Sequence, residues 1–377
     1  MGQYIYQFPY GEEIIMNVFC TLFDSRYFSR GLAAYQSLKR NCQNFHLYIF
    51  AFDDLALKTL KSMNLENVTV ISLSEFEDEE LLSIKKNRSV AEYCWTCTPS
   101  VIRYILNNYK VGSCTYIDAD LFFFSDPSVL YKEDENCSVI ITEHRFSENY
   151  KRSIVNGIYN VQFMYFKNDK LGNEIVSWWR DRCNEWCYAK LEDGKMGDQK
   201  YLDDWTTRFN GVHVMRHTGG GVAPWNVQSF DYFMQNDKLM QKEKFNGNIE
   251  EVIFFHFHNL KLYREGFAKT IGYTLSKDIV NFIYKPYYKN LIDIENDLEI
   301  NYADISGKCY ATRDIDALTL KIILSKMNRG DYTGENIITA DCDKIKLNFN
   351  ISELFVFIRK ICIKAFKKII YISTNKK

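Results

Sequence analysis

Four short apolar runs, at 17–23, 46–52, 68–72 and 114–117, alternate with stretches of helical periodicity, and this alternation constrains the fold more than any other feature of the chain. Short β-prone runs separated by helices of ten or more residues predict an α/β fold: a mostly parallel sheet with helices on both faces. The intervening residues 27–39, 54–63 and much of 75–110 carry the spacing of those helices. Asp24-Ser25 stands where the first helix would be capped. The strands run out into Asp24, Asp53-Asp54 and Asp118-Ala-Asp120, so acidic groups collect at the carboxyl edge, where such sheets bind ligands. No glycine-rich fingerprint follows the first strand, which removes the common dehydrogenase reading.

Beyond Pro127 the pattern becomes mixed. Strands are expected at 138–142, 159–167, 211–215 and 252–258, and an aromatic amphipathic helix at 174–190. The stretch 293–305 is acidic and weakly patterned. The expected organisation is therefore an extension at 1–16, a main domain at 17–285 and a smaller, mainly helical region at 286–377.

Charge and cysteine usage bound the class of protein. The 377 residues hold 47 basic and 48 acidic side chains, which argues against a surface that coats nucleic acid. No apolar run is long enough to span a bilayer, and no signal-type start is present, so a cytoplasmic protein is expected. Eleven scattered cysteines fit free thiols in a reducing compartment. Cys94-Trp-Thr-Cys97 and Cys183-x3-Cys187 have zinc-like spacing, but their aromatic, helical setting favours buried small hydrophobes. From Arg359 onward there are basic residues and no acid. Lys360, Lys364, Lys367 and Lys368 share one helical face there, so 351–377 reads either as an interfacial helix drawn to anionic lipid or as a helix packed on the protein.

The segment Tyr116-Ile-Asp-Ala-Asp-Leu-Phe-Phe-Phe-Ser-Asp-Pro127 carries the chemistry. Residues two apart on a strand point the same way, so Asp118 and Asp120 present both carboxylates to one place. Two anions at the end of an apolar strand call for a counter-charge. A hard divalent cation, Mg²⁺ or Mn²⁺, meets that need and completes its shell with phosphate oxygens and water. The alternative is that one Asp caps the next element while the other is solvated.

In this setting 116–127 resembles the DxD signature of GT-A nucleotide-sugar glycosyltransferases, in particular family 8, the glycogenin and bacterial lipopolysaccharide galactosyltransferase group. Other segments match in the family's order, over roughly 17–262. Thr21-Leu-Phe-Asp-Ser-Arg-Tyr27, with Gly31 and Ser37-Leu38 beyond it, resembles the opening strand and nucleoside loop. Ser100-Val-Ile-Arg103-Tyr104 is similar to the helix whose arginine reaches toward the donor. Tyr159-Asn160-Val-Gln162 is similar to the strand that lines the sugar pocket, although Val161-Gln162 stands where a small residue and a glycine are usual. Gly197-Asp198-Gln199 resembles the motif beside the transferred sugar. Phe255-His256-Phe-His258-Asn-Leu-Lys261 resembles the late histidine motif, without its Gly and its Lys-Pro-Trp ending.

The resemblance implies a GT-A fold and a UDP-sugar donor held at Thr21, Asp24, Tyr27, Arg103, Asp118, Ala119, Asn160 and Lys261. It implies Mn²⁺ or Mg²⁺ on Asp118, Asp120 and His256, with His258 as the alternative ligand. Asp198 and Gln199 would act beside the anomeric carbon, with retention of configuration. The expected partners are a nucleotide sugar and a glycan or glycolipid acceptor, in surface polysaccharide or lipopolysaccharide synthesis, at the inner face of the membrane if 351–377 binds lipid. The glycine run Gly219-Gly-Gly221 before Trp225 reads either as a cover over the donor diphosphate or as a turn. Leu121-Phe-Phe-Phe124 fits a haloacid-dehalogenase phosphatase badly, and Phe23-Asp-Ser-Arg26 is not the loop of a sugar nucleotidylyltransferase. A non-catalytic scaffold of a polysaccharide assembly remains the alternative.

Overall fold

The computed structural model describes residues 5–6, 14–264, 266–311 and 337–338. The basic stretch 351–377 and most of 1–16 lie outside these residues.

The expected mostly parallel sheet is present. In chain order its strands are β1 (Asn17–Phe23), β2 (Phe45–Ala51), β3 (Val68–Ser72) and β4 (Ser113–Ile117). The short β5 (Leu121–Phe123) follows, then β6 (Val139–Glu143), β7 (Tyr159–Lys167) and β8 (Val212–Val214). Seven of these form one sheet in the order β8-β6-β7-β4-β1-β2-β3. All its pairs are parallel except those of β7, which runs against both β4 and β6. Because β7 is reversed, its first residues lie beside the carboxyl ends of its two neighbours. Asn160 pairs with Thr142, and Phe163 pairs with Ile117 just before the DxD segment.

Helices α1 (Phe28–Asn41), α2 (Asp54–Met63), α3 (Val90–Asn108) and α4 (Lys170–Glu185) cover the sheet. Their starts follow local capping chemistry. Asp53 accepts from the Ala56 amide at 2.7 Å, and Ser89 and Glu92 form a reciprocal capping box. Asp169 accepts from Gly172, so α4 begins four residues earlier than its aromatic pattern suggests and ends at an extended Trp186. The cap expected at Asp24-Ser25 is not used. Helix α1 starts after Tyr27 without a side-chain cap, and Asp24 bonds Arg26 instead.

Side-chain alternation along β1 sorts the core into two bodies. Phe19 and Phe23 pack in one cluster with Phe28 and Leu32 of α1, while Cys20 and Leu22 join a second with Cys97, Val101 and Trp179 from α3 and α4. A meander of β9 (Phe230–Gln235), β10 (Lys238–Glu243) and β11 (Ile249–Glu251) leads into β12 (Phe254–His256). Strand β12 pairs antiparallel with β5, setting His256 opposite Leu121. Next come β13 (Leu260–Tyr263) and β14 (Phe267–Thr270), joined at the far edge by β15 (Ile337–Ile338).

Helix α5 (Lys285–Asn301) continues the helical run that begins at Lys277. The boundary expected at 285/286 thus falls inside a helix. Tyr287, Tyr288, Leu291, Ile294 and Leu298 enter the same core cluster as β1 and α1. Buried Glu295 fastens this junction: it accepts from the Ser29 hydroxyl of α1 and, at 2.7 Å, from the Gly307 amide. Among the described residues no helix is long and apolar enough to cross a membrane.

Candidate metal centre and active-site cavity

The carboxyl ends of β1, β4 and β6 and the start of β7 open onto a cavity of about 970 Å³. Asp118, Ala119, Asp120, Asn160, Asp198, Gln199 and His256 all line it, so motifs from four separate stretches of sequence converge there. Asp24 and Tyr27 stand on its wall as well.

At the centre, one ligand atom from each of Asp118, Asp120 and His256 lies within 4.8 Å of the others. His256 Nε2 is 3.1 Å from Asp120 Oδ1 and 3.7 Å from Asp118 Oδ2. The geometry follows from the strand pairing. The residue after His256, Phe257, donates its amide to the Asp120 carbonyl at 3.0 Å, so β12 is locked in register beside the DxD segment. Of the two histidines left open by the sequence, His256 joins the carboxylates. His258 lies farther along the wall, with Nδ1 2.8 Å from the Tyr273 hydroxyl.

The surroundings are strongly charged for so buried a place. Burial pushes the Asp118 carboxyl up to about 6 against the pull of His256, and Asp120 adds to the rise. For Asp120 burial acts in the same upward sense, but the contact with His256 outweighs it and holds this carboxyl below its usual range. Burial disfavours a charged His256, yet the Asp120 carboxylate beside it raises its pKa overall. Two carboxylates and an imidazole facing one point suit a divalent cation. The oxygen donors fit Mg²⁺ or Mn²⁺, and the nitrogen donor tilts the set toward Mn²⁺.

Partners outside the trio hold two of the three candidate ligands, Asp118 and His256. The Tyr116 hydroxyl donates to Asp118 Oδ1 at 2.9 Å, and His256 Nδ1 is 3.0 Å from Gln162 Oε1. Asn160 Oδ1 accepts from the Gln162 amide at 2.8 Å, while its Nδ2 lies 3.0 Å from His144 Nε2. Burial lowers His144 to about 4, leaving a neutral ring at neutral pH.

Asp198 stands just before the short helical turn Gln199–Asp204, and Trp179 Nε1 of α4 donates to its carbonyl at 2.9 Å. Its side chain makes no cap bond to the turn it precedes. Burial, with the charge of Asp118 added, lifts its carboxyl to about 7. Gln199 is tied through Nε2 to the Asn156 carbonyl at 3.0 Å.

Three residues expected on the donor are not brought to the cavity. Thr21 lies two positions inside the end of β1 and is covered on all sides. Arg103 projects from α3 toward the α4 side, where its charge acts on Glu80. Lys261 is on β13, opposite Lys269. Among the described residues the only Lys or Arg on the cavity wall is Arg26, which bonds Asp24 through its main-chain amide and its guanidinium.

The glycine run also has a different part from the donor cover considered above. Gly219 and Gly220 do not line the cavity, and their amides bond His217. A Cβ on Gly219 would meet the Glu251 carbonyl at 1.8 Å. Arg145 Nη1 donates to the Thr218 and Gly220 carbonyls at 3.2 and 3.0 Å. The glycines are there for close packing. The cysteine pairs likewise pack: Cys97, Cys183 and Cys187 are fully buried, and Cys94 faces the cavity alone.

Several contributors were not foreseen. Arg30, three residues past Tyr27 and so on the same helical face, is buried with its guanidinium 4.9 Å from the Tyr27 ring centre, and its charge bears on Asp120. The helical spacing was the available signal. An aromatic wall of Phe146, Tyr150, Trp225, His258 and Tyr273 flanks the metal centre, with Trp225 5.4 Å from His256 between ring centres. Phe146 and Tyr150 share the connection between β6 and β7, the others come from distant segments, and no periodicity links them.

No protein-family model matches the chain. It is similar to two Bacillus subtilis (strain 168) proteins described as uncharacterized. YfnD is 32% identical over 282 residues, 72% of this chain and 88% of that protein. YfnF is 27% identical over 308 residues, 79% of this chain and 98% of that protein. Among solved structures it is similar to the galactosyltransferase LgtC in complex with donor and acceptor sugar analogs, with a TM-score of 0.46 and 12% identity over 73% of this chain and 95% of that one. It is also similar to the glycosyltransferase GlyE in Streptococcus pneumoniae TIGR4, with a TM-score of 0.46 and 11% identity over 80% of this chain and 66% of that one.

Proposed function

The chain belongs to the family of Bacillus subtilis YfnD, and we propose that it is a metal-dependent GT-A glycosyltransferase, similar to family 8, that moves a sugar from a nucleotide sugar to a hydroxyl acceptor. One observation carries the reading: Asp118, Asp120 and His256 face one point at the carboxyl edge of a parallel sheet, inside a cavity large enough for a nucleotide sugar. Carboxylates paired this way at a strand end suit a cation shared with phosphate oxygens.

The cavity divides into three zones. At one end Tyr27 offers a ring to a nucleobase, with Asp24 and Arg26 beside it. In the middle, Asp118, Asp120 and His256 would hold Mn²⁺ or Mg²⁺, with the main chain at Ala119 between the two carboxylates. Such an ion supplies charge neutralisation for a departing diphosphate. Asn160, Asp198 and Gln199 lie around the place where the sugar would sit. Asp24 is engaged by Arg26, and the other two carboxylates belong to the metal set. Among the described residues Asp198 is therefore the one carboxyl of the lining left to face the anomeric carbon. Its side chain orients the sugar and stabilises positive charge developing there, in keeping with retention of configuration. The aromatic wall beyond His256 suits the apolar face of an acceptor sugar. The donor we favour is a UDP-sugar and the acceptor a glycan or glycolipid of surface-polysaccharide synthesis, both resting on the family resemblance.

Titration calorimetry with UDP and Mn²⁺ tests this, comparing the protein with an Asp118→Ala/Asp120→Ala variant. The expected result is UDP binding that needs Mn²⁺, is abolished by EDTA and is absent in the variant, followed by hydrolysis or transfer from a UDP-sugar panel. Silence toward UDP, GDP, CDP and dTDP alike would overturn it in favour of a non-catalytic scaffold.

A further inference from the structure

Gln162 occupies the point where the resemblance leads one to expect glycine, and the structure gives its side chain a task. It is wholly buried. Its Oε1 lies 3.0 Å from His256 Nδ1, across 94 residues of sequence. Its main-chain carbonyl accepts the Asp118 amide at 3.0 Å. One residue of the reversed strand β7 therefore holds the main chain of one member of the candidate metal set and the imidazole of another.

The other end of the same amide is unserved. Among the described residues Gln162 Nε2 has no hydrogen-bond partner. A Cβ built on Gly221 would come within 3.1 Å of that nitrogen, so the glycine run leaves room for the amide but gives it nothing to bond. A buried donor without a partner is unfavourable, and an apolar residue of the same size would avoid it. The amide is therefore retained for its oxygen. An oxygen at His256 Nδ1 accepts that nitrogen's hydrogen, which leaves the lone pair on Nε2, the atom that faces Asp118 and Asp120.

We propose that Gln162 is a positioning residue that fixes the ring tautomer and orientation of His256 so that Nε2 is available as a metal ligand. The proposal rests on the metal reading above. It also accounts for Gln162 in place of glycine: a side chain that reaches His256 takes up the space beside Gly221.

The test uses Mn²⁺ as the probe, on the full chain and on Gln162→Met, Gln162→Glu and His256→Ala variants. Free Mn²⁺ is followed by electron paramagnetic resonance, and nitrogen coordination by electron spin-echo modulation. Gln162→Met removes the acceptor at nearly constant volume and should weaken Mn²⁺ binding about 10- to 100-fold with loss of the ¹⁴N modulation. Its melting temperature should be no lower than that of the parent, because the unserved donor is gone. Gln162→Glu can only accept at Nδ1, so it should bind Mn²⁺ at least as tightly as the parent and keep the modulation. Unchanged binding in Gln162→Met, or weakened binding in Gln162→Glu, would overturn the proposal, the second by showing that the amide donates to Nδ1. A parent protein without Mn²⁺ binding, or one whose ¹⁴N signal survives His256→Ala, would instead strike the metal reading itself and this inference with it.

Discussion

The Tyr116 hydroxyl, buried beneath the cavity floor, donates to Asp118 Oδ1 at 2.9 Å and so fixes which oxygen of that carboxylate remains for a ligand. Removing it with Tyr116→Phe leaves the ring packing intact and frees the carboxylate to rotate. Outer-shell partners of this kind typically contribute 10- to 100-fold to metal affinity. We expect Mn²⁺ affinity to fall about tenfold, measured by calorimetry, with an unchanged circular dichroism spectrum.

Metal binding should be steeply pH-dependent. Burial keeps Asp118 at about 6 in the free protein, and Asp120 raises the pKa of His256 against the effect of burial. Both groups must lose their protons to act as ligands, so binding releases protons and affinity rises with pH. Mn²⁺ affinity should be highest above pH 7 and drop by about tenfold or more per pH unit below 6. A flat profile between pH 5 and 8 would contradict the ligand set.

Asp198 sets stability against function. Its carboxyl is lifted to about 7 by burial and by Asp118, whereas in the unfolded chain it would titrate near 4. Between those values the folded protein binds more protons than the unfolded one, so this group's contribution to stability falls as pH rises. The upper limit is about 4 kcal/mol above pH 7, at about 1.36 kcal/mol for each pH unit of displacement. Asp198→Asn should therefore raise the melting temperature at pH 8, with little change at pH 4, while abolishing sugar transfer. Equal shifts at both pH values would exclude an electrostatic origin.

The tie between α1 and α5 can be tested at Glu295. Replacing it with Ala leaves the Gly307 amide and the Ser29 hydroxyl, both buried, without an acceptor. Each such loss costs about 1–3 kcal/mol. We expect Glu295→Ala to destabilise the fold by about 2–4 kcal/mol in urea denaturation, and Glu295→Gln, which keeps an acceptor oxygen, by clearly less.

Gly31 sets two effects against each other. Alanine in the helix is favoured over glycine by about 1 kcal/mol. Yet a Cβ here would lie 2.3 Å from the buried Phe23 ring, itself packed edge-on against Phe28 at 6.1 Å. Overpacking of that kind costs about 1–3 kcal/mol, so the net effect of Gly31→Ala should be a lower melting temperature. Phe23 also lines the cavity, at the end proposed for the nucleoside. Nucleotide binding should weaken in the same variant.

What the sequence disclosed depended on whether the cause was local. The strands of the sheet were legible because their apolar runs are short and bounded, and Asp118 with Asp120 because they follow directly on one of those runs. The pair nevertheless lies in the turn between β4 and β5, where the Leu121 amide donates to the Asp118 carbonyl at 3.2 Å, and not on the strand as alternation implied. His256 over His258 was not legible. Two residues apart, both would point the same way on an extended stretch, but β12 ends at His256, opposite Leu121, and His258 falls in the turn beyond it. Arg103 was misplaced for the opposite reason. It stands on the expected helix, but the rotation of α3 turns it toward Glu80 rather than into the cavity. Arg145, which holds the Thr218–Gly220 carbonyls, and Trp225 act across tens of residues from loops, where no periodicity marks them.

The pairing of Leu121 with His256 also sets an order of assembly. A chain emerging from the ribosome exposes both carboxylates of the DxD segment long before β12 exists. Until that strand arrives, the sheet edge at β5 is open and the two negative charges have no imidazole beside them. The centre is therefore not complete until residue 256 has emerged, and products cut short before it carry the acidic half of the site without the strand that completes it.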